Sequence, residues 1–220
     1  MGTDDLHHKS RRRTQTGDYS RKSRGTKEKR ETFLIVCEGK QTEPNYFRSF
    51  PIKSEVVHLD IRGEGKNTIS LVQEAVKLKN AAIKQGKPYV QVWCVFDKDS
   101  FSNEQFNNAI KLCKDVSIDY AYSNEAFELW YLLHFNYIDT ALSREQYKDM
   151  LSERLGKTYR KEDPNIYALL QQKGREDQAI QRAKKLEKHH ISINGKLDPC
   201  NQNPSTNVFK LVEILNKFVQ

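Results

Sequence analysis

Short apolar runs alternate with stretches of helical periodicity through the first two thirds of the chain. The apolar runs predict four β-strands, at residues 33–37, 56–61, 89–96 and 118–122. The first and third runs are almost wholly apolar, so we expect strands buried on both faces, as in a parallel sheet covered by helices. Helical periodicity with flanking capping residues, Gly or Pro predicts helices at residues 44–50, 68–84, 103–114 and 125–135.

This alternation predicts an α/β fold in which right-handed crossovers join a mainly parallel four-stranded sheet flanked by helices. From about residue 143 the pattern changes to helices only. Ser143 and Gln146 form a capping box, Asp163-Pro164 begins a second helix, and residues 175–189 form a third. Asn203-Pro204-Ser205 begins a last helix. We therefore divide the chain into an N-terminal arm (1–32), an α/β core (33–140) and an all-helical C-terminal elaboration (141–220) that packs on the core.

Composition changes this picture mainly at the N-terminus. Of the 220 residues, 30% are charged and no apolar run approaches the roughly 20 residues of a membrane span, so we expect a soluble protein. The N-terminus lacks the apolar segment of a secretion signal, which predicts a cytoplasmic location without membrane contact. Residues 1–32 hold ten Lys and Arg against five Asp and Glu. Such an arm is disordered by composition and either attracts nucleic acid or serves as a solubilising leader.

The cysteines predict neither a disulfide framework nor a zinc site, because none of the four has C-x-x-C spacing. Cys37 and Cys94 lie in apolar runs and should behave as small buried hydrophobes. Residues 63–68 resemble a Walker A loop but fail it, since Asp60 replaces the first glycine and Asn67 follows the lysine. Lys66 at this glycine loop stays a candidate substrate contact.

Carboxylates follow two of the predicted strands. Glu38 comes directly after the first strand, and Asp97 and Asp99 follow the third. Because parallel strands end at one edge of a sheet, residues about sixty apart in sequence can meet there, where open α/β sheets bind ligands. Alternate residues of D-x-D point the same way, and clustered carboxylates need a hard divalent cation such as Mg²⁺. Lys40 and Lys98 beside these acids could hold a phosphate.

Each piece has a simpler interpretation, since a lone D-x-D is usually a solvated turn or a helix cap. The pair of strand-end motifs in an alternating α/β pattern favours the metal site. Glu43 is either an acid at a helix start or an acid behind the metal ligands. Glu128, three residues after Glu125, is either a second metal ligand or an acid on a helix face. His134 and Trp130 on the same predicted helix are more often structural.

These motifs resemble a known family. E-G after a first strand with D-x-D after a later one resembles the Toprim domain of primases, topoisomerases and OLD-type nucleases. More narrowly, several segments resemble the RloB-like proteins of bacteria: FLIVCEG at 33–39, TEPNYF at 42–47, FDKD at 96–99, SNEAFELWYLLHF at 123–135 and NPST at 203–206.

The resemblance implies a Toprim-like (Rossmann-like) fold. In it, Glu38 acts as general acid/base or metal ligand, and Asp97 and Asp99 bind Mg²⁺ or Mn²⁺. It also implies restriction-associated or phage-defence loci, sometimes with an ATPase partner. Glu125 departs from the family pattern, which often has a small residue or proline there, so its role stays open. Asn124, which ends the fourth strand, is a further substrate-contact candidate.

Three functions follow from these expectations. The first is a metal-dependent endonuclease of a defence system, cleaving DNA or RNA, tRNA included. The second is a primase-like Toprim enzyme that joins nucleotides, although the chain lacks the zinc module that primases often carry. The third is a non-catalytic nucleic-acid-binding or regulatory subunit. The sequence leaves the oligomeric state open, a homodimer included.

Overall fold

A five-stranded, mostly parallel sheet forms the centre of the protein. The computed structural model describes residues 30–65, 67–99 and 101–219. Its strands are β1 (Glu31–Cys37), β2 (Val57–Gly63), β3 (Gln91–Asp97), β4 (Asp119–Asn124) and β5 (Ser205–Thr206). The predicted N-terminal arm lies almost wholly outside the described residues.

The strand order places the ends of β1 and β3 side by side. The sheet runs β2-β1-β3-β4-β5, with parallel pairing throughout except for the antiparallel β5. The chain goes from β1 outward to β2 and then returns to the other side of β1 to form β3. The connection after β1 leads to β2 on one side and the connection after β3 leads to β4 on the other, and this creates a topological switch point between β1 and β3. In register, Cys37 at the end of β1 pairs with Val95, two residues before the end of β3.

Helices cover both faces of the sheet, because side chains along β1 alternate between two hydrophobic clusters. Leu34 and Val36 pack toward α2 (Thr68–Lys84) and α3 (Asn103–Asp115), whereas Phe33 and Ile35 belong to the larger cluster on the opposite face. The remaining helices are α1 (Thr42–Arg48), α4 (Glu128–Leu133), α5 (Arg144–Leu155), α6 (Ile166–Lys173), α7 (Glu176–Asn194) and α8 (Val208–Leu215). The predicted α/β class, with a mainly parallel sheet flanked by helices, is confirmed.

Side chains cap the starts of three helices, α2, α3 and α5. The Asn67 side chain accepts a hydrogen bond from the Ser70 amide, which begins α2. Ser143 and Gln146 bond to each other's backbone amides at the start of α5, as the capping box predicts. A second capping box joins Ser102 and Gln105 at α3. These caps satisfy the amides that a helix start leaves without partners.

The C-terminal region is not all-helical, and the sheet is not four-stranded. The predicted helix start at residues 203–205 is wrong, because Ser205 and Thr206 form β5 beside β4 and the helix begins at Val208. The Thr206 hydroxyl donates to the Tyr122 carbonyl at 2.8 Å. The Asn207 side chain accepts a hydrogen bond from the Tyr122 amide. Unpaired carbonyl and amide groups on the edge of β4 therefore recruit this segment as a strand.

The C-terminal helices share one core with the sheet. Tyr147 and Leu151 of α5 and Leu211 of α8 belong to the same buried cluster as Phe33 and Ile35 of β1. In the described part of the chain, no helix has the length and apolar character needed to span a membrane.

Candidate functional site

A cleft of about 450 Å³ opens at the switch point, beyond the carboxyl ends of β1 and β3. Among the described residues, six acids line it: Glu38, Glu43, Asp97, Asp99, Glu128 and Glu162. Three cations line it as well: Lys40, Arg144 and Lys161. The cleft therefore brings together Glu38, Asp97 and Asp99, the carboxylates that the strand ends predicted.

Glu38 is held between the ends of β1 and β3. Its amide donates to the Val95 carbonyl at 2.9 Å, which extends the pairing of β1 with β3 by one residue. Its carboxylate accepts a hydrogen bond from the Asp97 amide at 3.2 Å. Burial raises the pKa of Glu38 from 4.5 to about 7, and the neighbouring Glu43 and Asp99 add to that rise. Near neutral pH this carboxyl can both take and release a proton.

Asp97 and Asp99 share one cationic partner. The Arg144 guanidinium lies 3.0 Å from Asp99 Oδ2 and 3.8 Å from Asp97 Oδ2. Burial raises the pKa of Asp97, and the neighbouring Glu43 and Glu128 raise it further. Asp97 Oδ1 is buried and has no hydrogen-bond partner within the described residues. This oxygen therefore keeps unused hydrogen-bonding capacity in the wall of the cleft.

The sequence interpretation missed Arg144. It is the first residue of α5, where the helix macrodipole disfavours a cation, and it lies 45 residues beyond Asp99 along the chain. The Ser143 capping box fixes the start of α5 and so directs Arg144 to the carboxylates. A cation at a position where helices prefer acids was the one sequence signal of this role.

Glu43 and Glu128 form the inner wall of the cleft, and both are buried. The Glu43 carboxylate accepts a hydrogen bond from the Gly39 amide at 3.1 Å. A Cβ at Gly39 would overlap that carboxylate, which explains the glycine after Glu38. Burial raises the pKa of Glu43, and Glu128 adds to the rise. These contacts place Glu43 directly behind Glu38.

Glu128 has two partners of its own. The Tyr159 hydroxyl donates to Glu128 Oε1 at 3.1 Å, and the Lys161 ammonium lies 3.5 Å from the same oxygen. Lys161 is a second cation that sequence reasoning missed, because it lies in the segment between two C-terminal helices and only tertiary packing brings it to the cleft.

Several predicted site residues lie elsewhere. The Lys98 ammonium donates to the Phe101 carbonyl and does not line the cleft. Asn124 is buried and donates to the Pro199 carbonyl at 3.0 Å. The predicted shared helix face of Glu125 and Glu128 is wrong, since α4 begins at Glu128 and leaves Glu125 outside the helix. Lys66 lies outside the described residues.

His134 and Trp130 are structural, as predicted. Both are buried, and the His134 ring nitrogen Nδ1 lies 2.9 Å from the Trp130 carbonyl. Burial lowers the pKa of His134 to about 4, so the ring is neutral at neutral pH. The four cysteines are buried free thiols.

The donor atoms of the cleft suit a hard divalent cation. All the candidate ligands are carboxylate oxygens, the type that Mg²⁺ and Mn²⁺ prefer, and Asp97 Oδ1 has no partner among the described residues. Within residues 30–65, 67–99 and 101–219, however, no group of three or more His, Cys, Asp or Glu side chains is already arranged to hold a metal ion. Arg144 is paired with Asp97 and Asp99, so the three side chains would have to change orientation for the two aspartates to bind a cation.

Together these features define an α/β protein with a carboxylate-lined cleft at the switch point of a mostly parallel sheet. The chain belongs to the RloB-like protein family, whose match covers residues 33–215. A search of curated proteins and a search of solved structures each returned no match to this chain. The match includes Glu38, the D-x-D pair, Glu128 and Arg144.

Proposed function

We propose that this protein is a divalent-metal-dependent endonuclease of the Toprim type. The observation that carries the proposal is the convergence of Glu38, Asp97 and Asp99 in one cleft at the switch point. Burial raises the pKa values of Glu38 and Asp97 there, and neighbouring carboxylates raise them further. Such crowding is typical of sites where acids share a cation or a proton.

Asp97 and Asp99 are the proposed ligands of Mg²⁺ or Mn²⁺, with Glu38 and Glu128 as further ligands. A bound divalent cation would neutralise the phosphate oxygens and stabilise the charge that develops during in-line displacement.

The residues of the chain have distinct proposed roles. Glu38 holds or accepts a proton, since its pKa of about 7 suits general acid–base catalysis at neutral pH. Arg144 leaves the aspartates and binds the scissile phosphate, for which a planar guanidinium is well shaped. Lys40, exposed at the cleft mouth, contacts a neighbouring phosphate.

Membership of the RloB-like family supports a restriction-associated or phage-defence setting, with an ATPase as a proposed partner protein. The proposed target is DNA or RNA, tRNA included. The fold is proposed to be Toprim-like because E-G follows β1 and D-x-D follows β3, on adjacent parallel strands.

Cleavage by the purified full chain tests the proposal. Labelled DNA and RNA are incubated with Mg²⁺, with Mn²⁺ or with EDTA. We expect metal-dependent cleavage that falls at least about 100-fold in Glu38→Gln and in Asp97→Asn, because each change removes a charged group from the reacting centre.

Matched controls are Glu153→Gln and Asp149→Asn, which change exposed acids of α5 that lie outside the cleft. Both should cleave like the wild type. Cleavage that survives in Glu38→Gln and Asp97→Asn would contradict the proposal, and incorporation of nucleotides would favour the primase-like alternative.

One observation favours a second function, a non-catalytic nucleic-acid-binding subunit. Arg144 already supplies a positive charge to Asp97 and Asp99, so the acids can be balanced without a metal. Binding of nucleic acid with no cleavage in either metal would support this alternative.

A further inference from the structure

A second concave surface lies along α3, away from the cleft. This groove has a volume of about 590 Å³ and is bounded by α3, β4, the start of α8 and residues 196–201. None of the described residues lines both the groove and the cleft. The proposed function makes no use of it.

One face of α3 forms a wall of the groove. Asn103, Asn107, Lys111 and Lys114 line it at spacings of four, four and three residues, so they lie in one row. The row spans eleven residues, a length of about 16 Å in a helix. It begins two residues after Phe101, which lines the cleft. The groove therefore leads away from the candidate active site.

The groove is basic where the cleft is acidic. Of the residues that the structure describes, four lysines line it, Lys111, Lys114, Lys196 and Lys210, against the acids Glu187 and Asp198. Glu187 is paired with Lys210 at 2.8 Å, and Asp198 accepts hydrogen bonds within its own loop. Lys196 interacts electrostatically with Asp198, whereas over the described ranges Lys111 and Lys114 form no ion pair.

The acidic lining of the cleft gives the proposed nuclease a use for a second, basic surface. Among the described residues, the cleft carries six acids against three cations, so it repels a polyanion before a metal binds. A basic surface outside the cleft adds attraction to the phosphate backbone through counterion release, and Lys111 and Lys114 lie on such a surface. The groove is basic and begins beside the cleft.

We propose that the groove along α3 binds a single-stranded segment of nucleic acid whose phosphates lie along Lys111 and Lys114. The Asn103 and Asn107 side chains each donate one hydrogen bond within the protein and keep further polar groups. With the half-buried ring of Tyr120, these groups can contact unpaired bases by hydrogen bonding and stacking. An unpaired strand exposes the base edges and faces that such groups can contact, whereas a duplex keeps them paired and stacked. The inference rests on the proposed function for its ligand class and names where the substrate is held.

The test measures the salt dependence of binding by the full chain. A fluorescent 20-nucleotide single strand and a duplex of equal length are each titrated in EDTA, so that no cleavage occurs. The groove variant is Lys111→Gln/Lys114→Gln, and the matched control is Lys77→Gln/Lys84→Gln, which changes two exposed lysines of α2 outside the groove.

On the single strand, we expect the slope of log Kobs against log salt to be shallower by about 1.4 in the groove variant, because two phosphate contacts are lost. The α2 control should keep the wild-type slope. On the duplex, the two variants should agree.

Other results would overturn the inference. Equal slopes for the groove variant and the α2 control on the single strand would exclude the groove as the binding surface. An equal loss on the duplex would exclude the single-strand assignment. Failure of the proposed function is seen separately, as absence of metal-dependent cleavage, and leaves the salt slopes interpretable.

Discussion

Arg144 balances the charge of Asp97 and Asp99, and this gives it two opposing effects. It competes with any divalent cation for the two carboxylates, because its guanidinium contacts an oxygen of each. Once displaced, it is a free cation beside the proposed phosphate. A single substitution should therefore move metal binding and catalysis in opposite directions.

We expect Arg144→Ala to bind Mn²⁺ about fivefold more tightly, which corresponds to about 1 kcal/mol for a partly exposed ion pair. Cleavage at saturating Mn²⁺ should fall about 100-fold, since the phosphate loses its guanidinium partner. Electron paramagnetic resonance of free Mn²⁺ and a cleavage assay measure the two effects. Arg154→Ala, in the last turn of the same helix, is the control. Weaker Mn²⁺ binding with unchanged cleavage would show that Arg144 has neither role.

Glu38 should make the metal-free protein less stable as pH rises. Its pKa is raised from 4.5 to about 7 in the folded state, so between these values the folded chain binds more protons than the unfolded chain. The free energy of unfolding must then fall from about pH 4.5 to about pH 7 and level off above.

Glu38→Gln removes this contribution. The free energy of unfolding should therefore fall less with rising pH in this variant than in the wild type, by a difference of at most about 3 kcal/mol. Urea unfolding in EDTA at pH 5 and pH 8 measures the difference, and Glu153→Gln should keep the wild-type profile. If Glu38→Gln and the wild type lose the same stability between the two pH values, the shift at Glu38 is refuted.

At the scale of elements, Asn207 joins the start of α8 to β4. Its side chain is buried, accepts from the Tyr122 amide at 2.6 Å and donates to the Tyr120 carbonyl at 3.2 Å. These hydrogen bonds extend the pairing with the edge of β4 beyond the two residues of β5.

Asn207→Ala should lower the free energy of unfolding by about 2–4 kcal/mol, because it leaves a buried amide and a carbonyl without partners. Denaturant unfolding measures this loss. The control is Asn201→Ala, which removes an exposed amide and should cost well under 1 kcal/mol. A cost for Asn207→Ala no greater than that of Asn201→Ala would mean that these contacts do not hold α8 in place.

Elements with a strong local signal could be predicted, and those fixed by distant contacts could not. The apolar runs of β1 and β3 and the caps of α2 and α5 are local, and all four elements form as expected. By contrast, β5 has two polar residues and exists because Tyr122, 84 residues earlier, offers a carbonyl.

The same division holds in the cleft. Glu38, Asp97 and Asp99 were predictable, since buried parallel strands must end at a common edge. Arg144 and Lys161 belong to the C-terminal region. They line the cleft because the helices of that region pack on the sheet. No pattern near these two residues specifies that packing.

At the scale of the whole molecule, the account divides the surface by charge. The switch point holds acids from two strand ends, and the adjoining edge holds the basic groove along α3. One cluster of buried side chains packs the C-terminal helices against the sheet. The strands that carry the acids and the helix that carries Arg144 therefore share one hydrophobic core. The central claim is that this acidic edge binds a hard divalent cation.

A crystal structure of the protein grown with Mn²⁺, with anomalous data at the manganese edge, tests this claim most directly. We predict a peak in the cleft about 2.2 Å from an oxygen of Asp97, with Glu38 or Asp99 as a second ligand and Arg144 moved off the aspartates. Crystals of Asp97→Asn should lose that peak. A cleft with no manganese peak at millimolar Mn²⁺, and Arg144 still paired with Asp99, would contradict the account.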